Sequence, residues 1–169
     1  MLSRMLRAAR LDVNLYEEVE ADKGANRQAM FVVIITSIAV GLGSLTEAGW
    51  IGVIISVIFG LLGWAVWAYT NFIIGTKWLK QPQTEADWGQ LARTMGFATT
   101  PRLLSVFGVI PIPIFSPVIV AIAGVWWWIA MVIAVRQALD YTSTWRAFAV
   151  TMMGFILHVM VLSMVFIFI

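Results

Sequence analysis

Leu103-Leu104-Ser105-Val106-Phe107-Gly108-Val109-Ile110-Pro111-Ile112-Pro113-Ile114-Phe115-Ser116-Pro117 opens an uncharged run of thirty-three residues that ends at Val135. As one helix it would be roughly 50 Å long, against a bilayer core of about 30 Å. Proline removes a backbone donor and clashes with the preceding turn inside a helix. Pro111, Pro113 and Pro117 therefore mark a turn between two crossings rather than the middle of one. The first crossing is short and has to start near Thr99, with Arg102 reaching back along the helix to the headgroups. The second runs from Pro117 to Val135.

The basic residues support this division. The eleven Lys and Arg fall at positions 4, 7, 10, 23, 27, 77, 80, 93, 102, 136 and 146. With a hairpin inside Leu103–Val135 they all lie on one side of the membrane. With a single span there, Arg136 and Arg146 would be on the other side. The positive-inside rule then puts the N-terminus in the cytoplasm and the C-terminus outside. Glu47 is the one charge assigned to the far side. Trp50 suits the outer aromatic belt, and Trp78, Trp88 and Trp145 the inner one.

The remaining spans follow from apolar length. The chain is 61% hydrophobic and 12% charged, with a mean hydropathy of +0.90, where soluble domains carry about 25% charged residues. Gln28–Thr46 is uncharged for nineteen residues, enough for one crossing. Ala48–Thr76 makes a second, tilted crossing that reaches Lys77. Ala147–Ile169 makes the last. Ala48, Gly52, Ser56 and Gly60 recur at every fourth position, a stripe of small residues for close helix packing within the bundle or between copies. Between the spans, Thr84-Glu85-Ala86-Asp87 reads as a helix start. Trp88, Leu91, Ala92 and Met95 share one face of the helix it opens. Residues 2–13 are amphipathic, with Leu2, Met5, Leu6, Ala9 and Val13 on one face and Arg4, Arg7 and Arg10 elsewhere, as in a helix lying among headgroups. Arg4, Arg7 and Arg10 are not followed directly by an apolar core, which excludes a signal peptide.

The expected fold is an all-α integral membrane protein with five transmembrane helices and N-terminal and inter-span interfacial helices. Residues 1–27 form a cytoplasmic amphipathic helix and acidic segment. Residues 28–169 form the membrane domain, with spans at about 28–46, 49–77, 99–111, 117–135 and 146–169 and a cytoplasmic interfacial helix at 84–96.

Chemistry is sparse. The absence of Cys excludes disulfides, a thiol nucleophile and thiolate metal ligands. A net charge of +2 gives no basis for nucleic-acid binding. No Asp, Glu, Lys or Arg falls in any expected span core, where a transport or catalytic site would place one. His158 is the titratable residue there, either bonded to a neighbouring helix or acting as an axial ligand to a haem or chlorin. Asn71 reads as helix glue. Trp126-Trp127-Trp128 cannot share one helix face, because successive residues sit about 100° apart; one ring at least should face lipid or a partner. The densest polar feature is Tyr16-Glu17-Glu18-Val19-Glu20-Ala21-Asp22, with four carboxylates in six residues. It lacks the ligand spacing of a calcium loop. Pairing with Arg93, Arg102, Arg136 or Arg146 would make it a clasp that folds back onto the cytoplasmic ends of spans three to five.

Three segments resemble the Yip family of small polytopic proteins in its bacterial branch. They are Leu15-Tyr16-Glu17-Glu18-Val19-Glu20-Ala21-Asp22, Gly96-Phe97-Ala98-Thr99-Thr100-Pro101 and Arg136-Gln137-Ala138-Leu139-Asp140-Tyr141. The resemblance implies five spans with a cytoplasmic N-terminus. Eukaryotic members share an Asp-Leu-Tyr-Gly-Pro motif and bind small GTPases of vesicle traffic. The corresponding place here reads Asp12-Val13-Asn14-Leu15-Tyr16-Glu17 without the Gly-Pro, so the resemblance does not carry small GTPase binding over. For bacterial members it implies no established activity.

The expected function is a non-enzymatic membrane scaffold or assembly factor, requiring no cofactor and placed in a bacterial inner membrane. Its partners are the lipid bilayer and other membrane proteins or copies of itself. The clasp residues are Tyr16, Glu17, Glu18, Glu20, Asp22, Arg102 and Arg136; the helix-packing residues are Gly52, Ser56 and Gly60; and His158 is the candidate cofactor contact. The alternatives are an accessory subunit of an electron-transfer or pigment-binding complex, and a small-solute channel or permease.

Overall fold

Apolar length and proline placement dictate a bundle of long helices, and the computed structural model, which describes residues 1–167, is one. The elements are α1 (Leu2–Ala9), α2 (Val13–Ala21), α3 (Ala25–Gly43), α4 (Leu45–Ile73, continued by a π-helical turn Ile74–Trp78), α5 (Trp88–Ala98), a 3₁₀ helix (Thr100–Val109), α6 (Phe115–Ala138) and α7 (Thr144–Ile167). Four helical stretches are long and apolar enough to cross a membrane: Ala25–Gly43, Leu45–Trp78, Phe115–Ala138 and Thr144–Met164. They correspond to the expected spans at 28–46, 49–77, 117–135 and 146–169, each beginning two to four residues earlier. Residues 168–169 of the last lie outside the described residues.

The expected span at 99–111 is not a single α-helix. It is the ten-residue 3₁₀ helix, about 20 Å long at roughly 2 Å per residue, which is short of a bilayer by itself. It continues α5, and both pack along α3 and α6. The helix expected to lie on the membrane surface at 84–96 is the other departure. Residues 91–101 are all buried, whereas an interfacial helix leaves one face open. Small residues explain the burial. A side chain at Gly96 would meet the backbone of Ala29, so the glycine lets α5 lie directly against α3. Asp87, the last residue of the Thr84–Asp87 signal, starts α5 with a full capping box to Gln90.

The prolines end the 3₁₀ helix at Val109, and the chain turns through residues 110–114 before α6. Ile114 takes φ 74° in this turn, a costly conformation for a β-branched residue. The Lys- and Arg-bearing ends of the helices gather at one end of the bundle, hereafter the charged end. Glu47, Trp50 and the 110–114 turn mark the opposite end. Lipid-facing positions are apolar: Trp50, Ile51, Ile54, Ile58 and Leu62 of α4 are all exposed. Half of the small-residue stripe, Ser56 and Gly60, packs inside the chain, whereas Ala48 is exposed. Ser56 Oγ donates to the Ser37 carbonyl at 2.8 Å, and Gly60 leaves room for the Ser37 side chain. Gly52 faces Ala48 of its own helix and contacts no other element through that position.

Candidate functional site

Helix polarity builds the charged end. α1 carries Arg4 and Arg7, and α2 carries the carboxylates. The connection Arg10–Asp12, with Leu11 at φ 60°, folds α2 back beside α1. Asp12 caps α2 through the Asn14 N–H at 3.0 Å. Arg7 then pairs with Asp12 at 2.7 Å and Glu18 at 2.5 Å, and Arg4 with Glu18 and Asp22 at 2.9 Å each. Hydrogen bonds from Arg7 and then Arg4 hold the Glu18 carboxyl below its ordinary range. Arg7 does the same for Asp12, and Arg4 with the Gly24 N–H for Asp22.

The clasp therefore has partners only partly as expected: Arg93 reaches α2 through backbone carbonyls, while Arg4 and Arg7 hold its carboxylates. Among the described residues, neither Arg102 nor Arg136 touches an α2 carboxylate. Arg136 instead closes the end of α6, donating to the carbonyls of Tyr141 (3.1 Å) and Thr142 (3.3 Å) and to Thr144 Oγ1 (3.1 Å). The α1 arginines reach the carboxylates because α1 and α2 form a hairpin that lays them side by side. Arg93 is the link into the bundle. It is buried on α5 and donates to the Val19 carbonyl at 2.9 Å, to Asn26 Oδ1 at 3.2 Å and to the Glu20 carbonyl. Val19 and Glu20 lie in the last turn of α2, where free carbonyls and the helix dipole favour a cation.

The three motif segments meet here. Leu15 and Val19 share an apolar cluster with Phe97. Tyr16 packs in the main core with Ala138, Leu139 and Tyr141, and its hydroxyl donates to the Ala8 carbonyl at 3.4 Å. Tyr141 Oη bridges the Gly75 and Leu79 carbonyls at 2.9 and 2.7 Å, closing the π-helical end of α4. Glu20 is bonded by Gln90 Nε2 at 3.0 Å. Burial first, then the charge of Asp140, with Glu17 and Asp87 adding, push its carboxyl up to about 7 against the pull of Arg93. Glu17 is exposed beside it and makes no ion pair among the described residues.

The bundle interior holds a second set of polar groups. Thr99 Oγ1 lies 3.1 Å from Thr36 Oγ1. Thr36 is the twelfth of nineteen residues in α3, and the Ser105 carbonyl approaches Gly43 at the far end of that helix. Arg102, between them, is thus past the middle of α3 and away from the charged end. It does not reach back to the headgroups there, because a 3₁₀ helix with three residues per turn points it the same way as Thr99, Ser105 and Gly108. Its guanidinium lies over the Trp127 ring, 4.7 Å from the centroid. Cation–π contact offsets about 2 kcal/mol when desolvated, less than the several kcal/mol that burying a charge costs. Two cavities flank it, of about 340 and 560 Å³.

His158 borders the first cavity. Its ring stacks on Trp67 at 6.0 Å, and its Nδ1 is buried without a partner. Trp67 is the hub of an aromatic cluster, 5.3 Å from Trp127 and 5.7 Å from Trp128. Trp126 points away, beside exposed Ile122, Val125 and Ile129. Asn71 donates to Met95 Sδ at 3.5 Å. Among the described residues no group of three His, Asp or Glu side chains converges as a metal site. Hydropathy alone misplaces Arg102, whose signal was the spacing of three in Thr99, Arg102, Ser105 and Gly108.

The family model described as Yip1 domain matches residues 15–165. No curated protein and no solved structure gives a significant match.

Proposed function

The chain belongs to the Yip1-domain family, and from that premise we propose that it is a non-enzymatic membrane scaffold that docks partners on its charged end. The proposed setting is a bacterial inner membrane, with the charged end in the cytoplasm and the C-terminus outside. α3, α4, α6 and α7 cross singly, and α5 with the 3₁₀ helix makes the remaining crossing. Together those two measure roughly 35 Å at their ordinary rises.

The observation that carries the reading is the grouping of Glu17, Glu20, Asp87 and Asp140 from three separate elements, close enough to raise Glu20. Asp87 is also placed by its capping of α5, but carboxylates gathered without an ion pair repel one another. A rigid cap that gathers them suits a basic segment of another membrane protein, whose charge would relieve the repulsion. The clasp by Arg4, Arg7 and Arg93 fixes that surface to the bundle.

Photo-crosslinking in native membranes tests this. A photoreactive residue at Glu17 is expected to give discrete protein adducts that disappear when Asp87 and Asp140 are changed to Asn. Adducts no more abundant than those from the lipid-facing Ile58 position would sink it. The cavities around Arg102 favour a second reading, a small-solute permease, and solute flux through liposomes containing this chain alone would establish that one instead.

A further inference from the structure

Arg102 is held in the bundle interior without a counter-charge. No ion pair or side-chain hydrogen bond to it exists among the described residues, although arginine stays protonated under all ordinary conditions. Its flat face is occupied by Trp127, and that arrangement leaves the N–H edges of the guanidinium free. The two cavities meet at this pair, since Arg102 and Trp127 line both. The first carries Thr36, Thr99 and His158 on its wall. The second carries Ser105 and Ser116 and extends to Ser44 and Glu47 at the opposite end of the bundle.

Two neighbouring polar atoms also lack partners. Trp127 Nε1 is buried with no acceptor, and His158 Nδ1 is buried with neither donor nor acceptor. Trp127 Nε1 is a donor only, and Arg102 offers donors only. A buried site made of unmatched donors and one fixed positive charge is complementary to an acceptor-rich anion. The Arg fork matches the oxygens of an oxyanion better than a spherical ion. Ser105 supplies a hydroxyl along the route from the opposite end.

We propose that the junction of these cavities is an intramembrane phosphate-binding site, with Arg102 as its charged anchor and the Trp127 N–H as its second donor. The phosphate is carried by an anionic lipid headgroup or arrives free, through the second cavity. This goes beyond the scaffold reading and uses none of its residues. The competing arrangement is a pairing of Arg102 with Glu47 across the second cavity.

The test uses the purified full chain in an uncharged detergent, with thermal unfolding followed as each of two probes is titrated. One probe is inorganic phosphate. The other is phosphatidylglycerol, with a diacylglycerol of the same chains as the phosphate-free control. Saturable stabilisation by inorganic phosphate assigns a free anion. Stabilisation by phosphatidylglycerol but not by phosphate or diacylglycerol assigns a headgroup. In either case Arg102→Gln is expected to weaken binding about tenfold or more, the loss of one charge-assisted bond. Trp127→Phe keeps a ring under the guanidinium and is expected to weaken it several-fold. Should Arg102→Gln fail to fold, Arg102→Lys and Trp127→Phe decide, each expected to bind more weakly. The proposal is overturned if neither probe stabilises the wild-type chain, if affinity is unchanged in the variants that fold, or if binding emerges only in Glu47→Gln.

Discussion

Glu20 is held between opposing influences, and its titration shows which prevails. Burial and the neighbouring carboxylates raise it from 4.5 to about 7, so the folded chain keeps a proton that the unfolded chain has released. Its contribution is intact below pH 4.5 and is lost as pH rises to about 7, a stability that falls with pH across this window. Asp12, Glu18 and Asp22 have the opposite slope. Arg7 and Arg4 hold them below their ordinary values, so their contribution is present above the ordinary carboxylate range and is lost as pH falls through the lowered values. Glu20→Gln keeps an acceptor for Gln90. It is expected to melt higher than wild type above about pH 8 and to match it near pH 4.5, read by detergent-phase thermal unfolding. Asp140→Asn preserves a residue type tolerant of the φ of 52° found there and removes the leading charge. It is expected to shift the Glu20 transition to lower pH; an unmoved transition would show that the Asp140 charge does not raise it. Arg93→Met strips the last turn of α2 of its donors and should cost about 3 kcal/mol, the scale of charge-assisted hydrogen bonds. Arg93→Lys should recover part of that, since the charge returns without the fork. The acidic segment was conspicuous in the sequence and Arg93 was among the partners it pointed to, but Arg4 and Arg7 were not. Arg4 and Arg93 are respectively fourteen and seventy-three residues from Glu18 and Glu20, and only the fold brings the second into reach.

The α5–3₁₀ element shows why hydrophobic periodicity found the helices and missed one helix type. In α3, α4, α6 and α7 apolar length alone fixed the crossings, because every turn of a lipid-facing helix is greasy. The prolines at 111, 113 and 117 located the turn before α6 for the same kind of local reason. In residues 99–109 the polar row repeats every three positions, which a 3.6-residue reading spreads round the helix and a 3₁₀ helix stacks on one side. The narrower helix also brings backbones together: a side chain at Gly43 would collide with the Ser105 carbonyl. Gly43→Val is therefore expected to force α3 and the 3₁₀ helix apart and lower stability by about 1–3 kcal/mol or more, as overpacking does. A methyl group added at Gly124 of α6 would have nothing within 4 Å, and Gly124→Ala should raise stability by about 0.5–1 kcal/mol through helix propensity. Thermal unfolding of the two variants side by side checks both signs, and equal destabilisation would contradict the tight crossing at Gly43.

For the molecule as a whole, charge segregation and the crossing count depend on each other. Ordering the eleven basic residues along the chain places Arg102 with the rest only if its side chain lies near the charged end. Its actual depth is set by Thr99 meeting Thr36 and by Ser105 meeting Gly43, contacts that no count along the sequence contains. Moving Arg102 into the interior leaves the other ten at the charged end, and the crossing count then rests on those ten. The absence of Cys makes the count directly measurable by single-cysteine labelling. Thr142 lies exposed in the α6–α7 turn, and Ile112 lies exposed in the turn before α6. If α5 with the 3₁₀ helix crosses and α6 returns, a membrane-impermeant maleimide added to intact spheroplasts labels Ile112→Cys and not Thr142→Cys. Trp50→Cys, exposed at the opposite end, should label with Ile112→Cys, and exposed Lys80→Cys should remain protected with Thr142→Cys until the membrane is permeabilised. Labelling of Thr142→Cys with protection of Ile112→Cys would mean that Leu103–Val135 crosses once. Arg136 and Arg146 would then be outside, and the acidic docking face, which includes Asp140, could not lie in the cytoplasm with Lys80.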